Sequence, residues 1–530
     1  PPRSTLSSSS AASDVYKRQI SGLAQRMIEL FWPLIAQEAG FSHPDQPPIF
    51  LTLETAQYFM ARLVRPLLDQ GYFDSVTIER NRLYSQIIDN LNKAALVVFP
   101  HEEIGKRLKA AWGGGVGQAR LYDDAQECAT LFRQYCLQNN LLDFSLQIEV
   151  FMQYLWNHPL CREYLLQTYQ HLVVDNLEEE PPVTHDLLRS WLPHFVSALL
   201  IYDKEGGYRY FLGADPQTTY ALKELCPTQV HFRESFVTSS SVAALSLWLS
   251  SRLKPTQNHN SVGEKKSAAR ADRTNPRESL QVEVHRYYPE MLDWVAGEVA
   301  TLVYEQGKPP GEIVVLVPYL SDALRFSLVD RLSKRGVPVR TQRPSRQLRE
   351  ESVTRCLLTL AYLAHPQWIH EFIPSKFDLA YALVQAIQGM DLVRAQLLTE
   401  IVYRQQNGIP FLSSFERIIP QMQERITYRL GERYERLRLW LEEYKSIAEA
   451  ELDHFFSRLF GEVLSQPGFG FHVNLAAGEV VANLIESVQK FRWVAGASLT
   501  AEGKPVGREY LEMVQEGVIA AQYIRSWQVE

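Results

Sequence analysis

Two short apolar runs, HLVVD at 171–175 and SALLIYD at 197–203, each end in an aspartate and flank the helix-like stretch DLLRSWL at 186–192. Strand, helix, strand is the order of a parallel pair, because parallel strands need a crossover connection rather than a tight turn. Ligands of such sheets collect at the carboxyl ends of the strands. Asp175 and Asp203 therefore share one edge and form a candidate site.

A chain of 530 residues exceeds what one hydrophobic core fills; about 100–200 residues per domain gives roughly three or four domains. Hydrophobic residues make up 46% and charged residues 22%, which excludes wholesale disorder and collagen-like classes. The net charge of −7 excludes a surface that attracts nucleic acid everywhere, so any polyanion site is regional. Cys128, Cys136, Cys161, Cys226 and Cys356 lack zinc-ligand spacing and read as reduced core thiols. No apolar stretch reaches the roughly 18 residues of a membrane span, and no charged-then-apolar leader opens the chain. The cytoplasm is the expected location, with no membrane partner.

Residues 1–19, PPRSTLSSSSAASDVYKRQ, are Ser-rich and read as a non-native or disordered leader. From Ile20 the pattern is mostly helical, with Tyr58, Met60, Leu63, Val64 and Leu67 at near-helical spacing. ALVVFP at 95–100 is a strand or a helix end. WGGGVGQ at 112–118 lacks the Lys-Ser/Thr that follows the last glycine of a Walker loop, so it reads as a loop between helices. Residues 251–280, poor in large apolar groups and rich in Lys and Arg, read as a basic linker. Beyond it a second α/β unit is expected: strand-like VEVHRYY at 282–288, a helix from Met291 to Tyr304, EIVVLVP at 312–318, a helix through Leu328 and Leu332, and VPVRTQ at 337–342. From about Val353 onward the chain is helical, with Ile426, Leu430, Leu437, Leu441 and Tyr444 on one apolar stripe.

The order of these pieces resembles the UvrD/Rep-like superfamily 1 DNA helicases, including the AddA/AddB and RecB/RecC recombination subunits. The resemblance runs over about residues 120–360. It is carried by the stretch from Leu141 through HLVVDNLEEEPP, by IYDKEGGYRYFLGAD at 201–215, and by PPGEIVVLVPYLSDALRFSLVDRLSKRGVPVRTQ from Pro309. It implies an α/β fold of two incomplete RecA-like P-loop NTPase-type domains with parallel sheets and large helical insertions. The first domain would span 20–250, the linker 251–280, the start of the second 281–365 and a helical insertion 366–530.

The resemblance also implies ATP and Mg2+ as cofactors, although no P-loop occurs in this chain; that loop is expected upstream of Ile20, and the arginine-finger motifs after residue 530. Asp175 matches the magnesium-binding position, which makes it the metal and nucleotide candidate together with Asp203. Asn176 stands where the family places its catalytic Glu, and an amide does not accept a proton as a carboxylate does. Gly206 replaces a γ-phosphate-sensing Gln, Leu212 and Val237 replace Arg, and the acidic turn Glu178, Glu179, Glu180 is a solvated loop or a substitute base.

For DNA, the candidates are Phe211 together with Arg335, Arg340, Arg343 and Arg346 from the basic segment 331–355. Tyr208, Tyr210 and Phe211 either stack bases or belong to a core, and both alternatives stay open. Three readings result. The first is a helicase-like protein of DNA repair or recombination with impaired or no ATPase activity, holding single-stranded or partly unwound DNA beside a motor or nuclease subunit. The second is a fragment of an active ATP-dependent 3′-5′ helicase, and the third a non-enzymatic α/β scaffold.

Overall fold

The computed structural model describes residues 20–112, 119–204, 206–232, 238–253, 275–318, 320–340, 349, 351–369, 372–445 and 451–518. The expected leader, the glycine-rich loop after Trp112, residues 254–274 of the basic linker, Val237, Arg343 and Arg346 lie outside the described residues. The chain divides into two compact units, one of residues 1–225 with 345–530 and one of residues 226–344.

The larger unit begins with α1 (Ile20–Ile35), β1 (Ile49–Phe50), α2 (Leu53–Asp69), α3 (Arg80–Val97), α4 (Ile104–Ala111) and α5 (Ala119–Gln138). Next come β2 (Leu141–Leu142), α6 (Phe144–Val150), α7 (Pro159–Thr168), β3 (His171–Val174), α8 (Pro182–Trp191), β4 (Ser197–Leu200) and α9 (Pro216–Tyr220). The smaller unit holds α10 (Ser240–Leu253), α11 (Tyr288–Tyr304) and α12 (Asp322–Lys334). The larger unit resumes with α13 (Ser352–Ala364), α14 (Lys376–Ala386), α15 (Leu392–Val402) and the hairpin of β5 (Tyr403–Gln406) and β6 (Ile409–Leu412). It closes with α16 (Pro420–Ile426), α17 (Tyr428–Lys445), α18 (Leu452–Leu459), α19 (Leu475–Ala501) and α20 (Val506–Glu516).

Among the described residues helix accounts for 67% and strand for 5%, with three two-stranded sheets. This corrects the expected α/β class: the described residues contain no RecA-like parallel sheets and hence no pair of RecA-like domains. The physical reason is pairing. VEVHRYY opens with strand-like alternation and EIVVLVP is a continuous apolar run, yet Val282, Val284, Val314 and Leu316 are exposed and neither segment is paired as a strand. A strand is stabilised by its ladder and its cross-strand side-chain pairs, so alternation without a partner does not make a sheet. ALVVFP is the end of α3, closed by Val98 in the left-handed conformation.

One continuous apolar core runs through the larger unit from Ala24 to Val518. Tyr58, Met60 and Val64 of α2 enter it, as do Ile426, Leu430, Leu437, Leu441 and Tyr444. Tyr58 meets Phe491 of α19 edge-on at 4.8 Å, and its hydroxyl donates to Glu509 of α20 at 3.3 Å. Arg62 and Arg65 pair with Glu502 and Glu516 on either side of it. Helices near the two ends of the described chain therefore share one interface.

Inside that core sits a charged pair. β1 and β2 run parallel, Ile49 opposite Leu141 and Phe50 opposite Leu142, and β2 delivers Asp143 to the start of α6. The Asp143 carboxylate accepts from the main-chain N–H groups of Ser145 and Leu146, capping the helix. Arg133 of α5, 3% exposed, donates to Asp143 at 3.2 Å, to Ser145 at 3.0 Å and to Glu149 at 3.0 Å. Removing Asp143 leaves buried Arg133 with only the half-buried Glu149 as a counter-charge, and removing Arg133 leaves Asp143 buried without its cation. Asp143→Ala is expected to destabilise the fold by about 3–5 kcal/mol in chemical denaturation, whereas replacing Arg133 and Asp143 together by apolar residues of similar volume costs far less.

A second polar group in the core is His365, at the end of α13. Its ring stacks on Trp368 at 3.8 Å with an interplanar angle of 3°, and Tyr444 and Phe455 meet it edge-on. Nδ1–H donates to the Ala361 carbonyl at 2.9 Å, while buried Nε2 has no hydrogen-bond partner among the described residues. Burial lowers the pKa from 6.5 to about 4, outweighing the opposing effect of the Ala361 bond. The folded state therefore prefers neutral imidazole, and the unfolded chain takes up a proton first as pH falls. Stability is expected to drop progressively between pH 6.5 and about 4, and His365→Phe is expected to flatten that part of a Tm-against-pH profile.

Candidate nucleic-acid interface at the ends of β3 and β4

The sequence reading of strand, helix, strand holds for this pair. β3 and β4 are parallel, with His171 opposite Ser197 and Val174 opposite Leu200. Leu172, Val174 and Leu200 pack on Leu177, Leu188 and Leu222, while Val173 and Leu199 face outward and are exposed. The opposite face of α8 presents Val183, Leu187 and Trp191 to the main core, and Trp191 meets Trp156 edge-on at 4.9 Å. The small sheet is thereby moored to the helical body through α8.

Asp175 and Asp203 follow the two strands at the same edge. Asp175 is exposed, and its Oδ1 accepts from the main-chain N–H of Asn176 at 3.0 Å. Asn176 adopts φ 53°, a left-handed conformation in which Asn is favoured over most residues. That conformation turns the chain so that Leu177 N–H reaches the Ile201 carbonyl at 3.0 Å. The amide at this position thus has a backbone reason.

Glu178 is the acid that organises the edge. It is 4% exposed, and Oε2 accepts the Asp203 N–H at 2.9 Å. Gly206 packs against it so closely that a Cβ there would lie 2.9 Å from Glu178 Oε1. Gly207, at φ 91°, would place a Cβ 2.9 Å from Pro216. A Gln at position 206 therefore has no room while Glu178 points inward. Glu179 pairs with Arg209 at 3.0 Å. Glu180 accepts from the Thr184 hydroxyl at 2.9 Å, and burial raises its pKa against that bond and the Arg209 charge. All three acids of the turn are structural.

These commitments test the fit of ATP and Mg2+. Magnesium on a nucleotide takes one or two carboxylates, with phosphate and water supplying the rest. Among the described residues, the only group of three metal-ligating side chains is Glu451, Asp453 and His454, which does not include Asp175, and there Arg492 already pairs with both acids. Asp175 is exposed and stands outside that group, and no hydrolytic step follows from it.

Beyond Gly207 the chain turns outward as Tyr208-Arg209-Tyr210-Phe211. Tyr208 is 80% exposed and Tyr210 65%, so these rings are not core. The Phe211 main chain lies in the same short helical segment, Arg209–Leu212. Ala214 N–H donates to the Arg209 carbonyl, and Asp215 N–H to the Glu180 carbonyl. Asp215 then caps α9 through the N–H groups of Gln217 and Thr218, bonds that hold its pKa low against the effect of desolvation. Thr218 and Thr219 bond His185 of α8. The aromatic loop is fixed at both ends.

Sequence reasoning passed over Lys204, Tyr220 and Lys223. The ammonium groups of Lys204 and Lys223 lie 5.5 Å and 4.0 Å from the centroid of the Tyr220 ring. The available signal was two lysines on either side of the aromatic cluster, but their convergence depends on α9 folding back.

In the smaller unit Arg335 and Arg340 are exposed, and Arg335 donates to the Arg331 carbonyl at 3.0 Å. Their basic neighbours are engaged: Arg331 with Asp293 at 2.7 Å and Lys334 with Asp330 at 2.7 Å. In the larger unit Arg355 pairs with Asp378 at 3.5 Å. The formal surplus of 331–355 is partly neutralised. No helix of the described residues is long and apolar enough to cross a membrane.

No protein-family model matches the chain, and no curated protein does.

The Glu178–Gly206 contact has a direct test. Gly206→Ala is expected to destabilise the wild-type background, and much less a Glu178→Ala background, giving a coupling of about 0.5–3 kcal/mol in a double-mutant cycle of unfolding free energies. Additive costs would mean that the two sites are independent.

Proposed function

We propose that this chain is a helicase-like DNA-binding protein of DNA repair or recombination that holds single-stranded DNA and does not itself hydrolyse ATP. The exposure of Tyr208 and Tyr210 on an anchored loop supports this reading. Rings held outward cost little further ordering on binding, and every base offers a π-face to stack on them. Arg209 between them pairs with Glu179. In the smaller unit, taken by itself, exposed Arg335 and Arg340 are candidates for phosphate contacts. A partner motor or nuclease subunit would then supply any translocation or cleavage. The rival reading, a fragment of an active helicase, is disfavoured by the inward carboxylate of Glu178 and the left-handed Asn176.

The test is fluorescence anisotropy of a labelled oligothymidylate against the whole chain. Binding is expected to weaken steeply with salt. Tyr208→Ala with Tyr210→Ala is expected to weaken it by about tenfold or more, since each stacked base contributes about 1–3 kcal/mol. Undetectable or salt-independent binding, or an unchanged double variant, would overturn the proposal.

A further inference from the structure

We infer that His185 is the latch that positions the aromatic loop, holding α9 to α8 through a neutral ring protonated on Nε2, and that proton uptake by this ring releases the loop. The consequence for DNA affinity rests on the nucleic-acid reading, and the inference goes beyond it by naming the residue and the proton that set the pose of Tyr208 and Tyr210.

Counting hydroxyl protons places the hydrogen of the ring. His185 lies within α8 and is 1% exposed. Its Nδ1 lies 3.0 Å from the Thr218 hydroxyl oxygen, and its Nε2 meets that of Thr219. A hydroxyl has one proton to donate. Thr219 donates its own to the Asp215 carbonyl at 2.7 Å, so toward His185 it accepts, and Nε2 carries the hydrogen. The same carbonyl accepts the Thr219 N–H at 3.1 Å, which fills its two lone pairs. Thr218 stands farther from it, at 3.4 Å. The Thr218 O–H therefore turns to Nδ1, the acceptor nitrogen of a neutral imidazole.

These bonds converge on the residue that closes the loop. Asp215 follows the outward segment, its N–H donates to the Glu180 carbonyl at 3.3 Å, and the Ala214 N–H before it reaches back to the Arg209 carbonyl at 3.2 Å. The Tyr202 hydroxyl holds the next carbonyl, that of Pro216, at 3.1 Å. Since α8 is fixed in the main core by Val183, Leu187 and Trp191, the latch passes the position of the helical body to the loop. A second proton on the ring turns Nδ1 from acceptor to donor and buries a charge. It thus favours the arrangement in which the ring reaches water, with α9 lifted from α8.

The charges around the ring set the direction. Burial lowers the His185 pKa from 6.5, against the Glu180 carbonyl and the Asp215 and Asp186 carboxylates, and Arg189 adds to the lowering. The ring is therefore neutral at neutral pH, and the latch is lost as pH falls below 6.5. Other titratable or charged groups on the packed elements are Glu178, Glu179 and Glu180 in the turn before α8, Asp89 and Lys93 on α3, and Lys223 and Glu224 in the segment after α9. All of them remain in a His185→Gln variant, so the difference between parent and variant reports the ring.

The experiment measures oligothymidylate affinity between about pH 7.5 and about pH 5.5 for the whole chain and for His185→Gln, whose amide donates and accepts but does not titrate. On acidification the parent is expected to lose about threefold to tenfold more affinity than the variant, the contribution of one hydrogen bond. Parallel profiles would overturn the latch while leaving the stacking platform standing. A second measurement needs no DNA: the whole chain is made with isotope-labelled histidine, and the His185 ring is identified among the 13 histidines by its loss in His185→Gln or, where that variant does not fold, by the shift that Thr218→Val causes. A neutral ring with hydrogen on Nε2 is expected at neutral pH, and an imidazolium or an Nδ1–H ring would overturn the inference. The ring-carbon resonances of Tyr208 and Tyr210, assigned with Tyr208→Phe and Tyr210→Phe, are followed over the same range. Movement that tracks the His185 titration in a protein that binds no oligonucleotide would retain the latch and discard the nucleic-acid reading. Tyrosine rings that stay still while His185 titrates would discard the latch.

Discussion

A single buried carboxylate organises the edge beyond β3 and β4. Glu178 lies one turn past β3 and accepts a main-chain hydrogen bond from Asp203, three residues past β4. A carboxylate is removed from water only at high cost unless its oxygens find donors, so the turn after β3 and the loop after β4 must come together for either to be stable. Gly206 follows from this, because only a residue without a Cβ fits against Oε1. The outward path of Tyr208 and Tyr210, and the return of α9 that brings Tyr220 to Lys204, both start from that contact.

The helical body solves a different problem. Two parallel strands joined through one helix bury too little apolar surface to stand alone, and the outer face of β3 and β4 leaves Val173 and Leu199 exposed. Stability comes from α8, whose two faces bind sheet and core at once. The core in turn is arranged around Arg133 and Asp143, which cap α6, link it to α5 and place β2. Such a pair contributes more to specifying one arrangement of helices than to net stability.

Part of this was legible in the sequence. HLVVD and SALLIYD announced β3 and β4, and the Asp at each end marked the edge where the loops gather. The stripe through Leu430, Leu437 and Leu441 announced α17. The fold class was not legible, because the alternation of VEVHRYY and the apolar run of EIVVLVP both read as strands while nothing local states whether a partner strand exists. Nor was Glu178, since three consecutive acids before two prolines read as a solvated turn, and only the arrival of β4 turns one of them inward. For Tyr208 and Tyr210 the sequence left core and surface open, and burial is decided by tertiary geometry rather than by residue type.

The net charge of −7 is compatible with a polyanion ligand for a reason that counting charges conceals. Arg331, Lys334 and Arg355 spend their charge on Asp293, Asp330 and Asp378, and exposed pairs of this kind present little net field beyond the Debye length of about 8 Å at physiological salt. Lys204 and Lys223 come instead to the Tyr220 ring, whose quadrupole attracts a cation.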